Sequence, residues 1–289
     1  MIVILFRQGM IPILRETGNI KIFKVSKGME KFISIPIKSD EDGLFGRECP
    51  NKNCLGYFKI QFGTGLKGEG LPCYCPYCGH KGDQNSFWTE DQQKHIQSHA
   101  LRYIQGEFSK IFKTIERRPK PMAAIGISIT YKEGRPHPIH YYREKKLEQE
   151  VVCENCTLRY AIYGVFGYCP DCGNHNSLQI LKTNFSIVEK MLALAESSEK
   201  IIKEKLIENA LEDAVSAMDG YGRELCKVFA NKSTNPVKTS NLSFQNITGV
   251  QSNLVQLFSV DISAAVTTQE WSELNKLFQK RHLLSHKMG

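Results

Sequence analysis

Four cysteines in the middle of the chain have the spacing of ligands to one metal ion. They occur in the pairs CENC and CPDCG, which twelve residues separate, and they are Cys153, Cys156, Cys169 and Cys172. Two such pairs joined by a hairpin supply four thiolates to a tetrahedral ion, and Zn²⁺ accepts them at a metal–sulfur distance of about 2.3 Å. The Pro and Gly of CPDCG let the backbone turn sharply around the metal. The spacing therefore predicts a closed zinc site.

An earlier group of cysteines follows the same plan. CPNKNC and CPYCG provide its ligands, which are Cys49, Cys54, Cys75 and Cys78. Cys73 is a spare or an alternative ligand, and His80 is a further candidate, although four thiolates suffice without it. Both groups resemble the zinc-ribbon family, a small three-stranded β module, over roughly 30 residues each. We expect two structural Zn²⁺ ions, because catalytic zinc keeps one position open for water or substrate.

Aromatic residues surround the first ribbon. Exposed aromatics beside basic residues would suit base stacking with single strands, but packing of the ribbon against its neighbour is the favoured interpretation. The residues are Tyr57, Phe58, Phe62, Tyr74, Tyr77, Phe87 and Trp88.

Two other patterns carry weaker chemical meaning. Gly63, Gly65 and Gly68 match the GxGxxG string, but a cysteine pair follows instead of a helix, so a glycine-rich hairpin tip is predicted. His95 and His99 are spaced to chelate zinc on a helix. No glutamate follows His95 and no third ligand is evident, so surface or interface histidines are expected.

The C-terminal segment QKRHLLSHKMG combines a guanidinium with two imidazoles, from Arg281, His282 and His286. One interpretation is a metal pair of His282 and His286, which share a helical face, although no carboxylate or cysteine completes it. A second is a cationic helix C-terminus that meets the helix dipole favourably. A third is chemistry on RNA. An imidazole can remove the proton of the 2′-hydroxyl without a metal, and an arginine fork can hold the phosphate.

The third interpretation rests on a resemblance. An arginine, a polar residue, three further residues and a histidine near the end of a helix resemble the signature of the HEPN superfamily of ribonucleases. LEDAVSAMDGYGREL is similar to the long early helix of that superfamily, and WSELNKLFQKRHLLSH to its motif helix, within residues 205–289. The resemblance implies a metal-independent endoribonuclease of the toxin or anti-phage defence type, with Arg281 and His286 as catalytic residues and His282 beside them. It also implies a homodimer in which the motif helices of two chains form a composite site.

The resemblance departs from the family pattern at the end of the chain. HEPN domains normally continue with another helix, whereas this sequence stops three residues beyond His286, so a shortened or naturally minimal form is expected. Asp219 and Glu224 on the early helix are both candidates to complete the site.

A β-rich front half and a helical back half are predicted to position these sites, which gives an α+β multidomain protein. We predict a small β region at 1–48, the first ribbon with a following helix at 49–100, a basic helix with connecting strands at 101–150, the second ribbon at 151–183 and an all-α HEPN-like domain at 184–289. MAAIGISIT is predicted as a buried strand.

Within the back half, helical periodicity covers two segments, 184–206 and 208–230. NKSTNPVKTSN reads as a polar break, and a shorter helix is predicted at 253–260. Thr267 and Glu270 form a capping start for the last helix. Cys226 lies alone in a helical pattern and is predicted to be a buried core residue.

The charge distribution suggests a polyanionic partner. The net charge is +8, and residues 49–150 hold 16 Lys/Arg against 10 Asp/Glu, whereas residues 184–289 hold 12 of each. The surplus around SKIFKTIERRPKP attracts a polyanion through counterion release, and the resemblance to ribonucleases implies RNA, or another nucleic acid, as that partner. An ordinary solvated helix end explains so modest a surplus equally well.

The cellular context follows from the opening residues and the cysteines. Arg7 interrupts the apolar run MIVILF too early for a membrane span, and no export signal is visible, so we expect a cytoplasmic protein without a membrane partner. Ten cysteines in such a chain favour metal over disulfides. The alternative to a nuclease with a possible companion protein is a non-catalytic zinc-ribbon module that binds nucleic acid or protein and dimerises through its helices.

Overall fold

The computed structural model describes residues 19–26, 29–68, 70–117, 131–147 and 149–287, with side chains from Ile35 onward except at 117, 286 and 287. The described residues divide into two compact units. The first lies within Met1–Gly164 and Tyr168–Asn174, and the second within Val165–Gly167 and His175–Gly289. Strands dominate the front and helices the back, as the α+β prediction requires. The predicted strand MAAIGISIT, residues 122–130, lies outside the described residues.

The first unit begins with a β-hairpin. β1 (Asn19–Ser26) pairs antiparallel with β2 (Met29–Pro36), and Ser26 lies opposite Met29 at the turn. Ile35 and Ile37, at the end of β2, pack with Trp88 and Ile96 in a small hydrophobic cluster.

The two cysteine clusters share one β-sheet instead of forming separate modules. β3 (Phe45–Glu48) and β4 (Tyr57–Ile60) belong to the first ribbon, whose second cysteine pair lies beside the short hairpin of β5 (Cys73–Tyr74) and β6 (Lys81–Gly82). The second ribbon contributes β7 (Gln149–Val152) and β8 (Arg159–Ile162). The sheet order is β3-β4-β8-β7, all antiparallel.

The pairing of β4 with β8 joins the two ribbons, which are related by a pseudo-twofold axis. Lys59 lies opposite Ala161, and Ile60 lies opposite Tyr160. Each ribbon hairpin alone would expose an unpaired strand edge, and joining them covers two such edges. Phe58 and Tyr160 are fully buried in the core that results, which also contains six cysteine side chains and Phe87.

A long helix, α1 (Glu90–Arg117), follows the first ribbon. It starts with a reciprocal cap: the Thr89 N–H donates to Gln92 Oε1, and the Gln92 N–H donates to Thr89 Oγ1, both at 3.2 Å. Glu90 and Asp91 in the first turn favour the helix dipole. The helix crosses the predicted boundary at residue 100 without a break.

The second unit is built on a helical hairpin. α2 (Ser177–Glu196) starts earlier than the predicted position 184 and packs along α3 (Lys200–Phe229). The break between them falls at 197–199 and not near residue 207. The hydroxyls of Ser197 and Ser198 both donate to the Leu194 carbonyl, at 3.0 and 2.8 Å. Such bonds compete with the helical ladder and end the helix.

Among the described residues, three further α-helices and two short 3-10 helices (Ala230–Lys232 and Ile262–Ala265) complete this unit. α4 (Pro236–Ser240) lies inside the predicted polar break, because Asn235 caps it and proline occupies its first turn. α5 (Ile247–Phe258) starts earlier than the predicted 253 and is capped by Asn246. Cys226 packs against α5 in the core, as predicted.

The last helix is α6 (Thr268–Lys287). Its predicted cap is confirmed, since the Thr267 N–H donates to Glu270 Oε2 at 2.8 Å and the Glu270 N–H donates to Thr267 Oγ1 at 3.2 Å. None of the described helices is long and apolar enough to cross a membrane.

Candidate metal centres and the terminal helix

The first cysteine cluster has the geometry of a tetrahedral metal site. Cys49 Sγ lies 3.7 Å from Cys78 Sγ, and Cys54 Sγ lies 3.7 Å from Cys75 Sγ. All four sulfur atoms lie within 4.8 Å of one another. A tetrahedron with metal–sulfur bonds of about 2.3 Å has edges of about 3.8 Å, so these thiols fit one ion.

The second cluster has the same geometry. Cys153 Sγ lies 3.7 Å from Cys172 Sγ, and Cys156 Sγ lies 3.4 Å from Cys169 Sγ. All ten cysteines are free thiols. In the part of the chain that the structure describes, no other group of three or more His, Cys, Asp or Glu side chains converges on a metal position.

Backbone contacts interlock the two clusters. The Tyr74 N–H donates to the Pro170 carbonyl at 2.8 Å, and the Tyr168 N–H donates to the Pro76 carbonyl at 2.9 Å. The YCPYCG and YCPDCG segments are thus related by the pseudo-twofold. At the end of each segment a glycine takes a positive φ, 67° at Gly79 and 68° at Gly173, and lies against the tyrosine ring of the other ribbon. A side chain at either position would strain the backbone, because its φ is positive, and would also clash with that ring.

The thiols differ in acidity within each cluster. Burial raises the pKa of Cys49 to about 11 and that of Cys156 to about 12. The pKa of Cys78 is lowered in spite of burial, chiefly because the backbone N–H of His80 bonds the sulfur. Cys172 behaves in the same way, with the Asn155 side chain and the Asn174 N–H as donors. A metal therefore displaces protons from at least the buried thiols when it binds.

The other candidates near the first ribbon have structural roles. Cys73 is fully buried but lies outside the four-sulfur group, and the carbonyl of His80 accepts from the Cys75 N–H at 2.8 Å. The glycine-rich stretch is a loop, as predicted, in which the Leu66 N–H donates to Asp171 Oδ2 at 3.0 Å. It thereby contacts the second ribbon.

Several of the aromatics around the first ribbon are packing residues. Tyr57, Phe58, Phe87 and Trp88 are all buried. The hydroxyl of Tyr77 donates to the Tyr57 carbonyl at 2.6 Å. The favoured interpretation, packing rather than base stacking, agrees with this burial.

His95 is an anchor within the first unit. Its Nδ1 lies 2.6 Å from the His140 carbonyl oxygen, and its Nε2 lies 3.2 Å from the Pro36 carbonyl oxygen. His95 is buried and not at the surface, and its ring lies 4.5 Å from that of His99. Among the described residues no third metal-ligating side chain converges on these two histidines.

Arg281 lies on the half-buried side of α6, together with Trp271, Leu274 and Phe278. Its Nη1 donates to Gln245 Oε1 at 3.3 Å, and its Nε is buried without a hydrogen-bond partner among the described residues. His282 is exposed. His286 belongs to α6, but its side chain lies outside the described residues, so the His282–His286 pair remains a prediction.

The two acidic candidates on α3 have partners of their own. Asp219 Oδ1 accepts from the Phe244 N–H, and from the Ser243 hydroxyl at 3.3 Å. Asp219 thus holds the loop that presents Gln245 to Arg281. Glu224 lies 3.6 Å from His175 and 3.1 Å from Lys227. The side-chain bond from His175, more than the charge of Lys227, lowers the pKa of Glu224.

Sequence reasoning missed Gln245, which is separated from Arg281 by 36 positions, and the position of residues 131–147 along α1. The polar face of α1, formed by Gln92, His95, Ser98, Gln105 and Ser109, is the signal that predicts an attached segment.

No family model, no curated protein and no solved structure matches this chain.

Proposed function

We propose that this protein is a metal-independent endoribonuclease of the toxin or anti-phage defence type, with Arg281 and His286 as its catalytic residues. Two structural Zn²⁺ ions hold the ribbons, which recognise the RNA target or a companion protein. Two chains associate through the helical unit, so that their terminal helices contribute to a composite site.

The observation that carries the proposal is the environment of Arg281. Its guanidinium is half-buried, is held by the neutral amide of Gln245, and has no carboxylate within ion-pair distance among the described residues. A partly buried cation without a counter-charge is costly and favours the binding of an anion. A phosphate diester supplies that charge and matches the planar fork of arginine.

His286 follows Arg281 by five residues on the same helix, about 140° around its axis, and supplies the acid–base group. Imidazole titrates near neutral pH, so it can take the proton of the 2′-hydroxyl as that oxygen attacks the adjacent phosphorus. The arginine stabilises the charge that develops on the phosphoryl oxygens. As the 2′-oxygen bonds to phosphorus, the bond from phosphorus to the 5′-oxygen breaks and that oxygen takes a proton from solvent, which gives a 2′,3′-cyclic phosphate and a free 5′-hydroxyl.

The zinc ions have no role in this reaction. Each cluster offers four thiols to one ion, and a filled four-sulfur site leaves no position for water or substrate. The metal therefore stabilises the fold, because ligand binding to the folded state is coupled to folding.

The test is cleavage of RNA in EDTA mild enough to leave the ribbons loaded, with analysis of the product ends. We expect cyclic phosphate or 3′-phosphate ends, a loss of about 10²–10⁴-fold in rate for His286→Ala, and a strong loss for Arg281→Lys. Ser285→Ala and Lys280→Ala, on the same helix, are the matched controls and retain activity. Equal cleavage by the protein with alanine at both 281 and 286 would contradict the proposal.

A second candidate function is a non-catalytic module that binds nucleic acid or protein. The interlocked ribbons favour it, because two closed metal sites on one shared sheet build a surface and no reactive centre. Under this alternative, substitutions at Arg281 and His286 leave every measurable activity unchanged.

A further inference from the structure

Residues 131–147 form an extended basic segment. It contains five Lys/Arg against two Glu and has no regular helix or strand along its whole length. Stretches of this length without secondary structure are uncommon in compact domains and are usually either functional loops or linkers.

Polar side chains of α1 hold the first half of the basic segment. Gln105 Nε2 donates to the Arg135 carbonyl at 2.8 Å, and Gln105 Oε1 accepts from the His137 N–H at 2.7 Å. Near the start of the segment, the Tyr131 hydroxyl lies 2.7 Å from Ser109 Oγ. The two bonds of Gln105 satisfy backbone groups that no strand partner satisfies.

The second half is held in the same way, about two to four helical turns earlier on α1. The His140 N–H donates to Ser98 Oγ at 3.0 Å, and the His140 carbonyl lies 2.6 Å from His95 Nδ1. Gln92 Nε2 donates to Glu144 Oε1 at 3.0 Å. The segment therefore runs antiparallel to α1 and is fixed in place at several points.

Side chains alternate between the two sides of the segment from residue 141 to 145. Tyr142 packs against the cluster of Ile35, Ile37, Trp88 and Ile96, and Glu144 is half-buried. Tyr141, Arg143 and Lys145 are exposed, and Tyr141 is 72% exposed. The Lys145 ammonium lies over the ring of Tyr57, 5.0 Å from its centroid, so the Tyr141 ring and the Arg143 guanidinium are the groups that project together on the outer side.

Four of the carboxylates near this surface have partners within the molecule, whereas Glu48, which lines the same cleft as Arg143 and Lys145, makes no ion pair among the described residues. Glu133 is paired with Lys113 at 2.6 Å, and Glu144 accepts from the Tyr57 hydroxyl and from Gln92. On the first turn of α1, Glu90 is paired with Lys94 at 2.7 Å, and Asp91 with His140 at 3.0 Å.

By contrast, the basic side chains are available. Lys132, Arg135, Arg143 and Lys146 are exposed, and within the described part of the chain they make no ion pair. The outer side of the basic segment therefore keeps most of its positive charge.

We propose that the basic segment binds single-stranded RNA, with Arg135, Arg143 and Lys146 on phosphates and Tyr141 stacked on a base. Cations bind the backbone through counterion release, and an exposed aromatic stacks on unpaired bases of any sequence. The assignment to RNA, among polyanions, rests on the proposed function, whereas the surface rests on the contacts just described.

The experiment measures fluorescence anisotropy of a labelled single-stranded 2′-O-methyl oligouridine with the zinc-loaded full chain. This probe lacks the nucleophile for cleavage, so binding is read independently of any nuclease activity. We expect Arg143→Gln/Lys146→Gln to weaken binding about tenfold and to reduce the slope of log K against log salt by about 1.4, the value for two phosphate contacts on a single strand.

The matched control is Lys200→Gln/Lys203→Gln, which removes two exposed charges from the start of α3 in the helical unit and changes affinity less than twofold. Tyr141→Ala is expected to weaken binding at least about fivefold with an unchanged salt slope, because stacking is not ionic. A duplex of equal phosphate content is expected to compete poorly.

Equal losses for the test pair and the control pair, or no binding by the unaltered protein at low salt, overturn the inference. Equal competition by duplex overturns the role of Tyr141. Failure of the nuclease proposal would give a different result. The probe would bind through the basic segment, but unmodified RNA would remain intact.

Discussion

Tyr74 and Tyr168 occupy equivalent positions in the two ribbons, and each donates its backbone N–H to the proline carbonyl of the other ribbon's cysteine pair. The two metal clusters are therefore not independent. The loop around each cluster is held by a backbone hydrogen bond to the loop around the other. The pairing of β4 with β8 links the two ribbons further.

The first prediction concerns metal content. Cys172→Ser is expected to reduce the protein from about two zinc ions per chain to fewer than one, because loss of one cluster loosens the loop that holds the other. Cys226→Ser is the matched control, since that thiol is buried in the helical unit, and it retains both ions. Elemental analysis of the purified proteins measures this, and a value of one for Cys172→Ser would contradict the coupling.

The second prediction concerns the buried ion pair of Lys59 and Asp40, whose Nζ and Oδ2 lie 2.6 Å apart with side chains 6% and 15% exposed. Asp40→Asn leaves the ammonium buried without its counter-charge and is expected to lower the free energy of unfolding by about 3–5 kcal/mol. Denaturant unfolding measures this. Adding Lys59→Met recovers most of the loss, and the neighbouring Asp42→Asn has little effect; no recovery in the double variant would refute the explanation.

The ion pair of Lys59 and Asp40 also makes the stability of the fold sensitive to acid. Burial opposes ionisation of Asp40, but the hydrogen bond from Lys59, the backbone N–H bonds from Leu44 and Asp42 and the charge of Lys59 together lower its pKa below the ordinary 3.8. A lowered carboxyl pKa contributes stability that is present above the ordinary value and is lost as the pH falls through the lowered one.

The third prediction concerns Glu224 in the helical unit. The side-chain bond from His175 is the main cause of its lowered pKa, so its contribution to stability is complete above the ordinary 4.5 and is lost at lower pH. Glu224→Gln is expected to be less stable at neutral pH and to show a flatter decline in acid, as followed by thermal unfolding. The exposed Glu273→Gln is the control, and identical pH profiles for both variants would be the contrary result.

The fourth prediction compares two glycines on α3. A methyl group at Gly222 would overlap the ring of Phe244, whereas a methyl group at Gly220 would touch the ring of Phe166 at an ordinary 3.6 Å. Gly222→Ala is expected to destabilise the unit by about 1–3 kcal/mol, and to displace the loop that presents Gln245. Gly220→Ala is neutral or stabilising, because alanine is the better helix former. The Phe244 N–H donates a hydrogen bond to Asp219, so the rate of hydrogen exchange at this amide reports the displacement. Equal protection from exchange in both variants would contradict it.

Local patterns in the sequence predicted the local features of this structure. The spacing of cysteine pairs identified all eight residues of the two sulfur groups, and the Thr267–Glu270 cap fixed the start of α6. Features that depend on distant contacts were not predicted. Nothing local to Lys59 or Ala161 indicates that they face each other, and the two serines that end α2 look like an ordinary helical surface.

The pairing of β4 with β8 has a consequence for folding during synthesis. Lys59 and Ala161 lie far apart in the sequence, so the first ribbon reaches its final sheet only after the ribosome has released the second. Until then the edge of β4 is open to other chains. Newly made protein is therefore most exposed to aggregation in the interval between translation of the two cysteine clusters. Early zinc binding to the first cluster reduces the number of non-native pairings that are open to β4.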